Sequence, residues 1–292
     1  MSFSFFSILE DNKIKCTACN RYCILKENQT GFCKIRKNIN GSLVSLVDNK
    51  PIAIAIDPIE KKPLNNFLQK TKTLSFGTIG CNFNCSFCQN FSLLDPNSFN
   101  LDLLEIFSEK EIIDLALQNN LPSISYTYTE PTVFVEFALR VMKLAKINNL
   151  KNIWVSNGYM SKEVLKDLIK YLDAINIDLK GDQSFYDSLI PGISVKKIKE
   201  NIKFLYKNKI HIEITNLLIE GHNTKKEQIQ EIIDFVYSLS SDIPLHFTRS
   251  FPSYNLKNII PTKIETLNLA RYLAIKKRLK YVVRNVKLKE LS

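Results

Sequence analysis

From Thr73 onward the chain alternates short, β-branched apolar runs with amphipathic windows, a pattern that predicts βα units built on a parallel sheet. Strands are expected near 73–78, 123–129, 152–156, 173–179, 210–218, 243–248 and 280–284. The windows between them carry helix-start signals. Ser108-x2-Glu111, Thr224-x2-Glu227 and Thr262-x2-Glu265 have the form of capping boxes, Pro131 suits a first helical turn, and Ser161 and Ser194 suit N-caps. About six such units make an α/β fold, an open or partial (β/α)6 barrel, over residues 51–292. The repetition is architectural, because no stretch of sequence recurs.

Parity along the later strands separates two faces. Ile175, Ile177 and Leu179 point one way, and Asn176, Asp178 and Lys180 the other; Ile210, Ile212 and Ile214 oppose His211, Glu213 and Thr215; Leu245 and Phe247 oppose His246 and Thr248. Helices must cover the apolar faces. The polar faces then line the interior, which is expected to be a site.

Ahead of this pattern the chain is different. Residues 1–50 hold Cys16-x2-Cys19-x3-Cys23-x9-Cys33, followed by a turn at Asn40-Gly41, a strand in 43–47 and the apolar run 52–56 that leads into the main domain. The segment is too short for a core of its own, so four thiolates around a metal are expected to supply the missing stability. Zinc and a second iron–sulfur cluster both suit four cysteines.

Composition changes this picture only in part. The formal charge of +11 on 292 residues would suit a phosphate-bearing partner, but 33 of the 40 basic residues are lysines scattered along helix faces, with no arginine-rich block. A solvated basic face is the simpler reading. No apolar run reaches membrane-spanning length and the start lacks the flanks of a signal peptide, so a cytoplasmic protein without a membrane partner is expected. All seven cysteines precede residue 90, which in a reducing compartment favours metal binding over disulfides.

The second cysteine group is the most specific feature. Cys81-x3-Cys85-x2-Cys88 follows the first strand of the repeat and offers three thiolates with no fourth cysteine nearby. Three ligands leave one iron of a 4Fe-4S cubane open to a chelating molecule, whereas a structural zinc site fills all its positions. The motif, with Phe87 before its last cysteine, resembles the signature of the radical SAM superfamily.

That resemblance implies a 4Fe-4S cluster and S-adenosylmethionine (SAM), whose reductive cleavage gives methionine and a 5′-deoxyadenosyl radical that abstracts hydrogen from substrate. It implies Cys81, Cys85 and Cys88 as the catalytic cluster ligands and Phe87, Glu130, Asn157, Asp178, Lys180 and His246 as cofactor contacts. Tyr126–Thr132 resembles the segment that receives the methionine ammonium, Ser156-Asn157-Gly158 the Thr-Asn-Gly element of the activases, and Asp178-x-Lys180 their Asp-x-Lys. Each has a plainer reading beside it. Glu130 suits a helix N-terminus, Asn157 a turn before Gly158, Asp178 with Lys180 a salt bridge, and His246 a hydrogen-bonded structural histidine.

Taken in order, Asp57–Leu64, Phe76–Asn90, Asn157-Gly158-Tyr159, Asp178–Gly181, Glu213–Leu218 and Pro244–Arg249 resemble the radical SAM proteins of the AmmeMemoRadiSam system, relatives of pyruvate formate-lyase activating enzymes. The resemblance implies an electron donor such as a flavodoxin or ferredoxin and a protein substrate. RNA stays open on charge, as does a non-catalytic metal protein. Two departures stand out: Val155 where activases carry aspartate, which argues against a cation beside SAM, and Arg284 where relatives more often have glycine.

Overall fold

The computed structural model describes residues 4–285. Two small antiparallel sheets come first: β1 (Phe6–Ile8), β2 (Ile14–Cys16) and β3 (Ile24–Leu25), then the hairpin β4 (Arg36–Ile39) and β5 (Ser42–Ser45). Asn40 and Gly41, both at positive φ, make its two-residue turn. Phe5, Ile35 and Val47 are buried in the same continuous core as the barrel, so this segment borrows core from its neighbour.

The main sheet contains β6 (Ala53–Pro58), β7 (Lys72–Gly77), β8 (Ser123–Tyr126), β9 (Lys151–Ser156), β10 (Ala174–Asp178), β11 (His211–Leu218), β12 (Leu245–Arg249) and β13 (Val282–Asn285). Its spatial order is β13-β12-β11-β10-β9-β8-β7-β6, parallel throughout except for antiparallel β6. Each crossover places the next strand beside the last, the connectivity of a barrel wall. Six crossovers carry α1 (Glu109–Gln118), α2 (Val135–Ile147), α3 (Lys162–Leu168), α4 (Gln183–Leu189) with α5 (Val195–Lys207), α6 (Lys226–Leu239) and α7 (Ile264–Lys276). Among the described residues β13 and β6 do not pair, so the barrel is open. The expected α/β architecture of about six units is present.

Several local expectations change. The apolar run 52–56 is an antiparallel edge strand capping β7, which leaves Ile56 exposed. Strand β8 stops at Tyr126 because Tyr128 takes positive φ in a tight turn. The Ser108–Glu111 capping box forms, and Ser161 caps α3 by accepting from the Val164 amide. Neither of the other two boxes does. Helix α6 opens at Lys226 with Gln228 reaching back to Lys225, and α7 opens at Ile264. Thr262 is fully buried instead: its hydroxyl donates to the Leu218 carbonyl and accepts from the Ser250 amide, a tertiary role that removes it from capping. Ser194 sits at the N-cap of α5 without a side-chain bond.

Residues 59–70 run beneath the barrel. Ile59 and Leu64 are fully buried against Ile153 and Ala174, near the starts of β9 and β10. The Asn65 and Asn66 amides donate to Glu213 at 2.9 and 2.7 Å, Pro63 accepts from Asn176, and Phe67 packs on His211. This segment plugs the N-terminal mouth. A ligand must therefore enter from the carboxyl ends of the strands.

Candidate active site

The loop leaving β7 carries Cys81, Cys85 and Cys88 across the open end of the barrel. Gly80 opens it at φ +93°, and a side chain there would come within 2.8 Å of the Cys33 carbonyl, so the loop needs glycine for both conformation and space. Contacts on several sides hold it. The Ser86 amide donates to Leu189 at the end of α4, Ser253 donates to the Cys88 carbonyl at 3.0 Å, and the Asn255 amide donates to the Ser86 carbonyl at 3.0 Å. The Arg21 guanidinium donates to the Asn82 carbonyl at 2.6 Å.

Burial pushes all three thiols up, Cys81 well above its ordinary value and Cys85 to about 12. Left alone they stay protonated at neutral pH; a bound cationic centre turns them into thiolates. Among the described residues no three His, Cys, Asp or Glu side chains converge on a one-ion site. Three partly buried sulfurs on one loop, without a fourth cysteine in it, fit a cluster that keeps one metal open.

The expected cofactor residues gather at the same end, on β9, β10 and the loop after β8. Lys180 Nζ donates to Asp178 Oδ2 at 2.8 Å and lies 5.7 Å from the centre of the Phe87 ring. Burial works against its charge, but Asp178 and Cys85 hold its pKa above the usual lysine range. The expected salt bridge and the expected position beside the cysteine loop are thus both present. Phe87 is itself buried, packed on Phe185, and forms the floor beneath this ammonium.

Asn157 takes its turn role and adds a tie to the cysteine loop. Its Oδ1 accepts from the Tyr159 amide in a turn, while Nδ2 donates to Asn82 Oδ1 at 2.7 Å and ties the end of β9 to the cysteine loop. Glu130 is fully enclosed, and burial raises its pKa. It accepts from the Thr132 amide and hydroxyl, the Ser156 hydroxyl and the Asn157 amide, which uses the capacity of a carboxylate. In this structure Glu130 is a cap and a brace between β8 and β9, with no acceptor left for an ammonium.

His246 is level with Asp178 through Thr215 in strand register. Its Nε2 lies 2.6 Å from Glu213 Oε2, and its buried Nδ1 lacks a partner. Glu213 accepts in addition from His211 and from Asn65 and Asn66. Burial alone would raise this carboxylate; the four donors outweigh it and hold the pKa down to about 2. Val155, half-buried in β9, brings no carboxylate to the site. The side chain of Arg284 and residue 286 lie outside the described residues.

A family model described as "Radical SAM superfamily" matches residues 76–236. This chain belongs to the radical SAM superfamily. Enzymes of that superfamily use a 4Fe-4S cluster and SAM, and the three-cysteine loop is where such a cluster fits. "Uncharacterized protein MJ0808" of Methanocaldococcus jannaschii is 43% identical over 279 residues, covering 95% of this chain and 83% of that one. The "4-hydroxyphenylacetate decarboxylase activating enzyme" of Clostridium scatologenes is 23% identical over 52% of this chain and 52% of its own length, so the chain spans about half of that relative. Among solved structures, Streptococcus suis SuiB bound to precursor peptide SuiA superposes with a TM-score of 0.58 at 17% identity, over 73% of this chain and 48% of that one. At that identity the likeness concerns the radical SAM fold alone.

Sequence reasoning gave no site role to Arg21 or Asn82, which help to hold the site together. Asn82 directly follows Cys81 and Arg21 lies two residues from both Cys19 and Cys23, but nothing in their spacing says that they meet.

Proposed function

We propose that this chain is a radical SAM enzyme that acts on a protein, in the manner of an activase, with Cys81, Cys85 and Cys88 as the cluster ligands. The observation that carries the reading is the meeting of a partly buried three-thiol loop with Lys180, Asp178 and Asn157 at the carboxyl ends of parallel strands, where α/β folds take their ligands. When bound, the cluster and SAM supply one-electron cleavage of a C–S bond, giving methionine and a 5′-deoxyadenosyl radical that takes a hydrogen atom.

The chain's own groups do the rest. Asp178 and Lys180 offer paired charges to the amino-acid end of SAM. Asn157 and Asn82 hold the cysteine loop to β9, and Glu130 keeps Asn157 in place. The plug at 59–70 and the buried aromatics exclude water from below. His246 Nδ1 is a free polar atom in the interior, suited to a nucleoside or a proton.

A protein substrate is supported by the names of two relatives, the activating enzyme above and "Putative glycyl-radical enzyme activating enzyme MJ1632", 28% identical over 61% of this chain. A flavodoxin or ferredoxin as electron donor is what the radical SAM resemblance implies. No helix among the described residues is long and apolar enough to cross a membrane, in keeping with a cytoplasmic site of action. The +11 charge favours RNA as the second reading.

Anaerobic reconstitution, reduction and addition of SAM should release 5′-deoxyadenosine and methionine; a loaded cluster without release would leave a non-catalytic metal protein. A cell extract that stimulates release should lose that effect on protease treatment. Loss on RNase treatment instead would establish the RNA reading.

A further inference from the structure

The four cysteines of the N-terminal segment are unused by the reaction just proposed. Cys16, Cys19, Cys23 and Cys33 are free thiols around one small cavity of about 20 Å3, walled also by Arg21, Arg36, Phe32 and Asn82. That volume is roughly the room of one water-sized sphere. Four thiolates fill the tetrahedral shell of a single ion.

Two guanidinium groups meet this cavity with donors unspent. Arg36 is 3% exposed and gives its Nη atoms to Glu136 and to the Val133 carbonyl, while its buried Nε has no partner. Arg21 donates Nε to the Asn82 carbonyl, its plane stacks on Phe32 at 3.4 Å, and its buried Nη2 has no partner. A buried donor without an acceptor is destabilising, and here the two arginines that carry such donors both line a cavity ringed by sulfur. A divalent ion held by four thiolates carries a charge of about −2 and presents lone pairs on every sulfur, the acceptor that both groups lack. Four neutral thiols supply no such acceptor.

We propose that Cys16, Cys19, Cys23 and Cys33 bind one zinc ion, and that Arg21 transmits the order of this centre to the SAM-cluster loop. The four side chains are not drawn to one-ion spacing beforehand, so metal binding closes them round the ion. Coupling follows from where the segment lies. Arg21 reaches the residue after Cys81, Gly80 packs under the Cys33 carbonyl, and Cys19 bridges to Met160 just beyond the Asn157 turn. Asn20 and Ser161 add side-chain bonds across the same seam. One ordered centre in this position holds both the cysteine loop and the end of β9. Arg21 is a positioning residue.

The test uses the full chain. In the Cys81→Ala/Cys85→Ala/Cys88→Ala variant, expressed with iron and zinc both supplied, metal analysis should find about one zinc per chain and no iron. Iron with sulfide, or four titratable thiols without metal, would overturn the assignment. Because Cys16→Ala and Cys33→Ala can compromise folding, zinc release from the wild-type protein by a mercurial thiol reagent serves as the second measurement. About one equivalent should appear, and none would count against the site. For the coupling, Arg21→Gln should keep its zinc yet hold about half the wild-type iron or less after reconstitution, with an altered EPR signal on adding SAM; Arg21→Lys should restore part of both. Wild-type iron content and an unchanged signal in Arg21→Gln would refute the coupling. The zinc readout does not depend on SAM cleavage, so it can fail while the enzyme reading stands, and the reverse.

Discussion

The two ends of the barrel interior use the same kinds of residue for opposite ends. Towards the N-terminal mouth Glu213 gathers four donors, from His211, the Asn65 and Asn66 amides and, from the layer above, His246, and the plug at 59–70 closes the network from below. At the carboxyl ends Asp178 and Lys180 have chiefly each other, and Asp178 stays about one-third exposed. A buried polar group with every bond made stabilises and resists change; one left half-partnered is available to a ligand. Polar strand faces alone therefore do not mark a site. What marks it is incomplete satisfaction beside an opening.

Substitutions at the two ends should separate these roles. The largest effect is expected at the open end: Cys81→Ala, Cys85→Ala or Cys88→Ala should abolish both the cluster absorbance and 5′-deoxyadenosine release with little change in helical circular dichroism. Any single variant that still cleaves SAM would remove that loop from the chemistry. Next comes the sealed end. Glu213→Ala leaves two histidines and two amides without their acceptor and should cost about 3–5 kcal/mol in denaturant unfolding, while SAM affinity per folded molecule falls at most about threefold, through the freed His246. A selective loss of SAM binding would instead make the lower layer part of the site.

Acid should reveal the same carboxylate. Its folded pKa of about 2 lies below the ordinary 4.5, so its stabilisation is complete above the ordinary value and is lost as pH falls from about 4.5 towards 2. The loss is on the order of 3 kcal/mol. In Glu213→Gln, unfolding curves taken across that window should show a correspondingly shallower decline; equal slopes would mean the carboxylate does not carry the acid sensitivity. Asp57, held to about 2 by Lys62 and Tyr128 against the effect of burial, contributes in the same window and remains in the variant.

The smaller effects return to the open end and to the surface. Lys180→Ala should weaken SAM binding about tenfold with cluster iron retained, as a charge-assisted contact outside the metal shell would. Unchanged affinity would reduce the Asp178 pair to a structural bridge. Lys61→Ala removes an exposed partner of Asp57 at 3.4 Å and should shift stability by less than about 0.5 kcal/mol, whereas buried Lys62 is the partner that matters.

Much of this was legible along the chain because it depends on short-range order. The period of apolar residues set seven parallel strands within a few residues of where they lie, and parity placed Asn176, Asp178, Glu213 and His246 on the inner face. The cysteine spacing announced its chemistry because three ligands on one loop need no distant partner. Edge strand β6 was illegible as such, since an apolar run says nothing of its direction, and Thr262 looked like a cap because its real acceptor, Leu218, lies 44 residues away.

What the tertiary structure alone decided are the meetings of remote residues. Neither the pattern nor any motif indicates that residues 59–70 close the barrel from below, that Glu130 spends its capacity on Ser156 and Asn157, or that Arg21 reaches the Asn82 carbonyl 61 residues on. Local sequence determines which conformations and faces a segment prefers. Whether a buried polar group ends up satisfied or free depends on partners that only folding delivers, and that difference separates scaffold from site in this barrel.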